Sequence, residues 1–179
     1  MTNLPVNPLA ALVARAREML PASTGAVARA REQRVSPQAT FVLADISGSM
    51  NEPAGGRRKI DILNDALDPI RDQARVVAFN DYPVELRPGS RLPRASGGTA
   101  LHLAIRHIAA HRPRHILIIS DGHPADPAAA LREADQLGDA RIDVIYCGPE
   151  TDHVGLAFMR RIARGGGRAQ RHDIARDAR

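Results

Sequence analysis

Short unbroken apolar runs alternate along this chain with longer stretches whose apolar residues recur every third or fourth position. The first pattern predicts strands buried on both faces; the second predicts amphipathic helices. Buried strands are expected at 40–44, 76–79, 115–119 and 142–146. A segment at 84–87 alternates and is opened by Pro83, as an edge strand would be. Only the turn Asn80-Asp81-Tyr82-Pro83 separates it from 76–79, so the two should run antiparallel. A weak sixth strand is expected at 168–174.

Four helices should lie between these strands. One presents Ile60, Leu63, Leu67 and Ile70 and ends near Gln73; the next starts at Thr99 and presents Leu101, Ile105, Ile108 and Ala109. A third is capped by Asp126-Pro127, buries Leu131, Ala134 and Leu137, and is closed by Gly138. The last opens at Thr151-Asp152, runs through Val154, Phe158 and Ile162, and stops at Gly165-Gly166-Gly167. Residues 51–56 read as a flexible connector and 88–98 as a loop rich in Pro, Gly, Arg and Ser. Before all of this, Asn7-Pro8 starts a helix with Leu9, Leu12, Val13, Ala16 and Leu20 on one face, stopped by Pro21. A weaker helical segment follows at 24–34, and Ser36-Pro37 resets the chain to extended. The expected organisation is an N-terminal helical extension over 1–38 and one domain over 39–179. That domain is α/β: a doubly wound, mostly parallel six-stranded sheet with one antiparallel edge strand and helices on both faces.

Composition narrows the function. With 179 residues and only 3% aromatics, the core must be Val, Ile, Leu and Ala, which suits a covered parallel sheet. The net charge of +5 does not read as a nucleic-acid footprint. Lys59 is the only lysine among 25 basic residues, and no aromatic side chains interleave with the arginines as stacking platforms would. Cys147 is the only cysteine and lies in an apolar run, so a buried inert thiol is expected and a cysteine-based zinc site is not. Neither a basic, apolar leader nor an 18-residue apolar run occurs, and a cytoplasmic protein without a membrane partner is expected.

The chemistry concentrates where buried strands end. Asp45-Ile46-Ser47-Gly48-Ser49 follows the first strand and sets oxygen-bearing side chains two residues apart. Such a loop is either an ordinary polar turn or a site for a hard cation, which small oxygen donors without sulfur or imidazole would suit. Asp121 follows the strand at 115–119, and Gly97-Gly98-Thr99 precedes a helix. In doubly wound sheets ligands bind beyond the carboxyl ends of the strands, so these three stretches could meet.

Together, Asp-x-Ser-x-Ser, then Gly-Gly-Thr-Ala-Leu, then Ile-Ser-Asp-Gly resemble the von Willebrand factor type A family and its metal-ion-dependent adhesion site. The resemblance spans about residues 39–174. It implies that Ser47, Ser49 and Thr99 offer hydroxyl oxygens to Mg²⁺, with Mn²⁺ or Ca²⁺ as alternatives, while Asp45 and Asp121 hold the ion directly or through water. It also implies a non-enzymatic module whose protein partner supplies a Glu or Asp to the open coordination position. Intracellular relatives imply a partner such as an AAA+ ATPase or a stress- or conflict-system component. The long closing helix of the family is replaced here by only 175–179 after the last expected strand, so its conformational lever should be missing or shortened.

Other features are weaker. His107 and His111 are spaced for zinc on a helix, but no Glu follows His107 and both read as solvated. His123 is either a rim residue of the site or a turn residue; Arg87, Arg91 and Arg94 either flank an acidic partner or are simply solvated. A Mg²⁺-dependent phosphoryl-transfer enzyme would need a second Asp where Ser47 stands, or a lysine after a later strand, and no phosphate-binding glycine loop is present. A nucleic-acid-associated module is the remaining alternative.

Overall fold

In a computed structural model of the protein, residues 40–54 and 56–171 are described. The expected N-terminal helices, the division at residue 38, and residues 172–174 of the last expected strand lie outside them. In chain order the strands are β1 (Thr40–Asp45), β2 (Pro53–Ala54), β3 (Arg57–Arg58), β4 (Arg75–Phe79), β5 (Pro83–Glu85), β6 (His115–Ser120), β7 (Arg141–Tyr146) and β8 (Ala169–Arg171). The helices are α1 (Lys59–Leu67), α2 (Leu101–Ala109), α3 (Pro127–Asp135) and α4 (His153–Ile162).

The main sheet has the order β5-β4-β1-β6-β7-β8, and only β5 runs antiparallel to its neighbour. β1 sits inside it, buried at every position, between β4 and β6. Alternate residues of each strand feed two cores, as the period of two requires. Val42, Ala44, Val76, Ala78, Leu117 and Ile119 pack with Ile60, Leu63 and Leu67 of α1 on one face. Phe41, Leu43, Val77, Phe79, Ile116 and Ile118 face the other way, toward α2, α3 and α4. Each large apolar side chain so buried contributes about 1.5–3 kcal/mol. The chain leaves β1 toward β4 and returns on the opposite side to β6. This reversal opens a crevice at the carboxyl ends of β1 and β6.

The caps follow the sequence pattern. Asp126 accepts from the Ala129 amide at 2.8 Å with Pro127 in the first turn of α3, and Asp152 accepts from the Gly155 amide at 3.0 Å at the start of α4. Three local expectations are corrected. The connector at 51–56 contains half of a small antiparallel hairpin, with Pro53 opposite Arg58 and Ala54 opposite Arg57. A two-residue ladder buries too little to leave a hydrophobic alternation in the sequence. α1 ends at Leu67, where Pro69 tightens the chain into a 3-10 turn at Asp68–Ile70. α2 begins at Leu101, which leaves Thr99 on the preceding loop. Among the described residues no helix is long and apolar enough to cross a membrane.

Candidate functional site

The site grows from the end of β1. Asp45 is fully buried, and its two carboxylate oxygens are separately engaged: Oδ1 accepts from the Ser47 amide at 2.7 Å and Oδ2 from the Ser120 hydroxyl at 2.6 Å. The first of these bonds folds the chain back on itself two residues after the strand. A 3-10 turn at Gly48–Asn51 follows, pinned by the fully buried Met50. Ser47 and Ser49 are thereby turned together, their hydroxyl oxygens 3.0 Å apart, and Ser49 donates to Asp121 Oδ1 at 2.9 Å. Asp121 comes directly after β6, the neighbour of β1.

Thr99 arrives on a third loop that is stitched to the other two through the backbone. The Gly48 amide donates to the Gly97 carbonyl at 3.0 Å, Ser96 to Ile46 at 2.8 Å, and Ala125 to Thr99 at 2.9 Å. Gly97 has φ +74°, and a Cβ there would collide with the Asp81 carboxylate, which accepts the Gly98 amide at 2.9 Å. The left-handed backbone at Gly97 favours glycine, and a Cβ there would in addition displace the Asp81 side chain that holds the Gly98 amide. The structure thus brings Asp45, Ser47, Ser49 and Asp121 into one hydrogen-bonded chain and places the Thr99 loop against it. The Thr99 hydroxyl takes no part in the hydrogen bonds that join the other four.

Charge is unevenly distributed here. Burial, eased by the bonds from Ser120 and Ser47, raises the Asp45 carboxyl to about 6. Asp121 instead meets a cation: Lys59, the first residue of α1, places its ammonium 2.7 Å from Asp121 Oδ2 and 2.8 Å from Glu52 Oε2. Burial opposes the lysine's charge, but these two carboxylates hold it ionised, above its ordinary range. The hairpin makes this reach possible, because the Lys59 amide also donates to the Glu52 carbonyl at 3.1 Å. Among the described residues, no cluster of three or more His, Cys, Asp or Glu side chains is placed to hold a metal. What the loops offer is two carboxylates and small hydroxyls, an all-oxygen set that fits a hard cation.

Lys59, Glu52 and Ser120 were not identified as site residues from the sequence. Ser120 could have been, since it adjoins Asp121 at a strand end. Lys59 carried one signal, its being the only lysine in an arginine-rich chain, but no spacing rule tied it to Asp121.

The remaining candidates take definite places. His123 is exposed and lies 2.8 Å from Asp152 Oδ2, which also accepts from the Tyr146 hydroxyl at 2.7 Å; it touches none of the five candidate ligands through these bonds. Burial alone would raise the Asp152 carboxyl, yet the donors Gly155, Tyr146 and His123 hold it below its usual range. His111 lies in the turn just after α2 rather than on the helix, and it is half-buried rather than solvated: its ring stacks on that of Phe41 at 5.5 Å, and Arg75 lies 4.6 Å above the Phe41 ring. His107 remains exposed. Arg91 pairs with Asp65 at 2.9 Å and, with Arg58 and Arg94, lines a cleft of about 420 Å³, while Arg87 is exposed. Cys147 is buried, and burial pushes its thiol far up, as expected of an inert cysteine.

Comparison with known proteins bears on the fold. A model of the von Willebrand factor type A domain family matches residues 90–170. No curated protein matches the sequence. The fold is similar to that of manganese-loaded TRAP protein from Plasmodium vivax, at TM-score 0.58 and 22% identity over 80% of this chain and 72% of that one. A von Willebrand factor type A protein from Catenulispora acidiphila aligns at TM-score 0.59 and 21% identity, over 79% of this chain and 41% of that one. Proximal thread matrix protein 1 of the mussel byssus aligns at TM-score 0.53 and 16% identity, over 80% and 46%. This chain therefore spans less than half the length of the last two. The matched segment and the six-stranded fold both support a von Willebrand factor type A domain.

Proposed function

We propose that this chain is a metal-dependent protein-interaction module of the von Willebrand type A kind, not an enzyme. Asp45, Ser47, Ser49, Thr99 and Asp121 hold a divalent cation, Mg²⁺ in the first instance and Mn²⁺ or Ca²⁺ as alternatives. The observation that carries the reading is the Ser49 hydroxyl, bonded at once to Ser47 at 3.0 Å and to Asp121 at 2.9 Å, which joins the ends of β1 and β6 at the sheet's reversal. Mg²⁺ favours six oxygen ligands, so a donor set of five side chains, some acting through water, leaves a position for a partner's Glu or Asp. The manganese in the Plasmodium vivax TRAP protein, which has the same fold, supports a divalent ion. The partner class, an AAA+ ATPase or a stress- or conflict-system protein in the cytoplasm, is carried from the family resemblance alone.

The nearness of Lys59 to Asp121 gives the phosphoryl-transfer alternative some footing. Asp45 argues against it, because a nucleophilic carboxylate must itself reach a phosphorus atom, and Asp45 is fully buried with both oxygens engaged, whereas a cation can be held in front of it through water and the serine hydroxyls. A nucleic-acid role is tested by salt-dependent DNA or RNA binding that ignores the metal. For the main reading, Mg²⁺ and Mn²⁺ are titrated by calorimetry into the full chain and into Asp45→Ala and Thr99→Ala. Binding by the wild type and its loss in both variants, with the fold intact by circular dichroism, is expected. Undiminished binding by both variants overturns the assignment. A pull-down with and without EDTA then identifies the partner.

A further inference from the structure

We propose that Lys59 is a resident cation of this site, one that offsets Asp121 from within and leaves the metal-loaded site positively charged toward an anionic partner. The inference rests on the metal-binding reading above and adds a residue that the family's five-residue motif does not contain. Its basis is geometric. The Lys59 side chain is 9% exposed and that of Asp121 6%, and their charged atoms lie 2.7 Å apart. The other oxygen of Asp121 is taken by Ser49 at 2.9 Å, so lysine and serine together fix the carboxylate in one orientation. Among the described residues, Asp45 has no cationic partner, its donors being the Ser47 amide and the Ser120 hydroxyl.

The charge balance follows. Two buried carboxylates and one ammonium carry a single net negative charge. A divalent cation turns that to a single positive charge, and a partner's carboxylate then brings the assembly to neutrality. Without Lys59 the loaded site would be neutral before the partner arrived and negative afterwards. Glu52 shares the ammonium, but its side chain is 62% exposed at the solvent rim, where water screens it. A lysine serves this purpose better than the arginine used elsewhere in the chain, because its compact point charge fits beside one carboxylate oxygen and leaves the other to Ser49. Lys59 is accordingly a positioning residue: it weakens the hold on the metal and strengthens the loaded site's attraction for an anion.

The test uses the full chain, with Mn²⁺ alone as the probe and Lys59→Met as a neutral replacement of similar length. Removing a like charge beside the ion should tighten Mn²⁺ binding about tenfold or more by calorimetry. Unchanged or weaker binding overturns the proposal. If the wild type does not bind Mn²⁺ but Lys59→Met does, the offset of Asp121 by Lys59 stands, while the positively charged loaded site and the function proposed above both fall. A second arm needs no metal: chemical unfolding in EDTA of Lys59→Met, Asp121→Asn and the double variant. Losses that fail to add, with the double variant no less stable than the worse single one, support the pairing. Full additivity overturns it, whatever the calorimetry shows.

Discussion

Asp45 and Asp121 close neighbouring strands of one sheet, yet their charges are answered differently. Asp45 receives only neutral donors, the Ser47 amide and the Ser120 hydroxyl, and burial raises its carboxyl to about 6. Asp121 receives one neutral donor, Ser49, and one full charge, Lys59. One carboxylate is thus supplied with a cation by the chain itself, and the other is not. On the metal-binding reading proposed above, Asp121 holds the site's shape and Asp45 is the carboxylate left for the ion to offset.

The largest effect expected from this contrast is on metal-free stability. Asp121→Asn leaves the Lys59 ammonium buried against Glu52 alone and should cost about 3 kcal/mol, the lower end for a broken buried pair. Asp45→Asn removes a charge that burial disfavours and should change stability by about 1 kcal/mol or less. Urea unfolding in EDTA compares the two, and equal losses would break the contrast. Next comes Ser120→Ala, which strips a buried carboxylate of one of its two donors. It should cost about 2 kcal/mol, as hydrogen bonds to charged groups do, and a saturating divalent ion should recover part of that loss.

A slightly smaller effect is expected for Ser49→Ala, about 1.5 kcal/mol, the low end for a hydrogen bond to a charged group because its bonds to Asp121 and Ser47 are only part-buried, together with weakened Mn²⁺ binding. Once the partner is known, a double-mutant cycle between Ser49→Ala and the partner's acidic residue sharpens the picture. Both changes act on the ion-to-carboxylate contact, so their losses in affinity should not add. Full additivity would place the partner elsewhere. The smallest effect belongs to His123→Ala. Its ion pair with Asp152 is exposed, worth at most about 1 kcal/mol, and Tyr146 keeps hold of Asp152 at 2.7 Å. Mn²⁺ affinity should be unchanged in this variant, measured by the same calorimetry.

Much of this architecture was legible in the sequence because its signals are periodic. Runs such as Phe41 to Ala44 and Ile116 to Ile119 are apolar at every position because both faces of their strands are buried. The helical faces repeat because one stripe of each helix meets a core. The Asp45 loop was legible for a different reason: its donors are adjacent in sequence, and a bond from the Ser47 amide to Asp45 is a local event. Lys59 was not legible, because its contact with Asp121 spans 62 residues and depends on a hairpin with no hydrophobic pattern. His111 was misread for a related reason. The helix ends at Ala109, two residues before it, and its partner Phe41 lies on β1, distant in sequence.

Anomalous diffraction at the manganese edge from a crystal of the full chain soaked in Mn²⁺ tests the central claim most directly. The account predicts one strong peak among the oxygens of Asp45, Ser47, Ser49, Thr99 and Asp121, absent from crystals of Asp45→Ala prepared identically. A saturating soak that yields no peak there, or a peak that survives in Asp45→Ala, would contradict it.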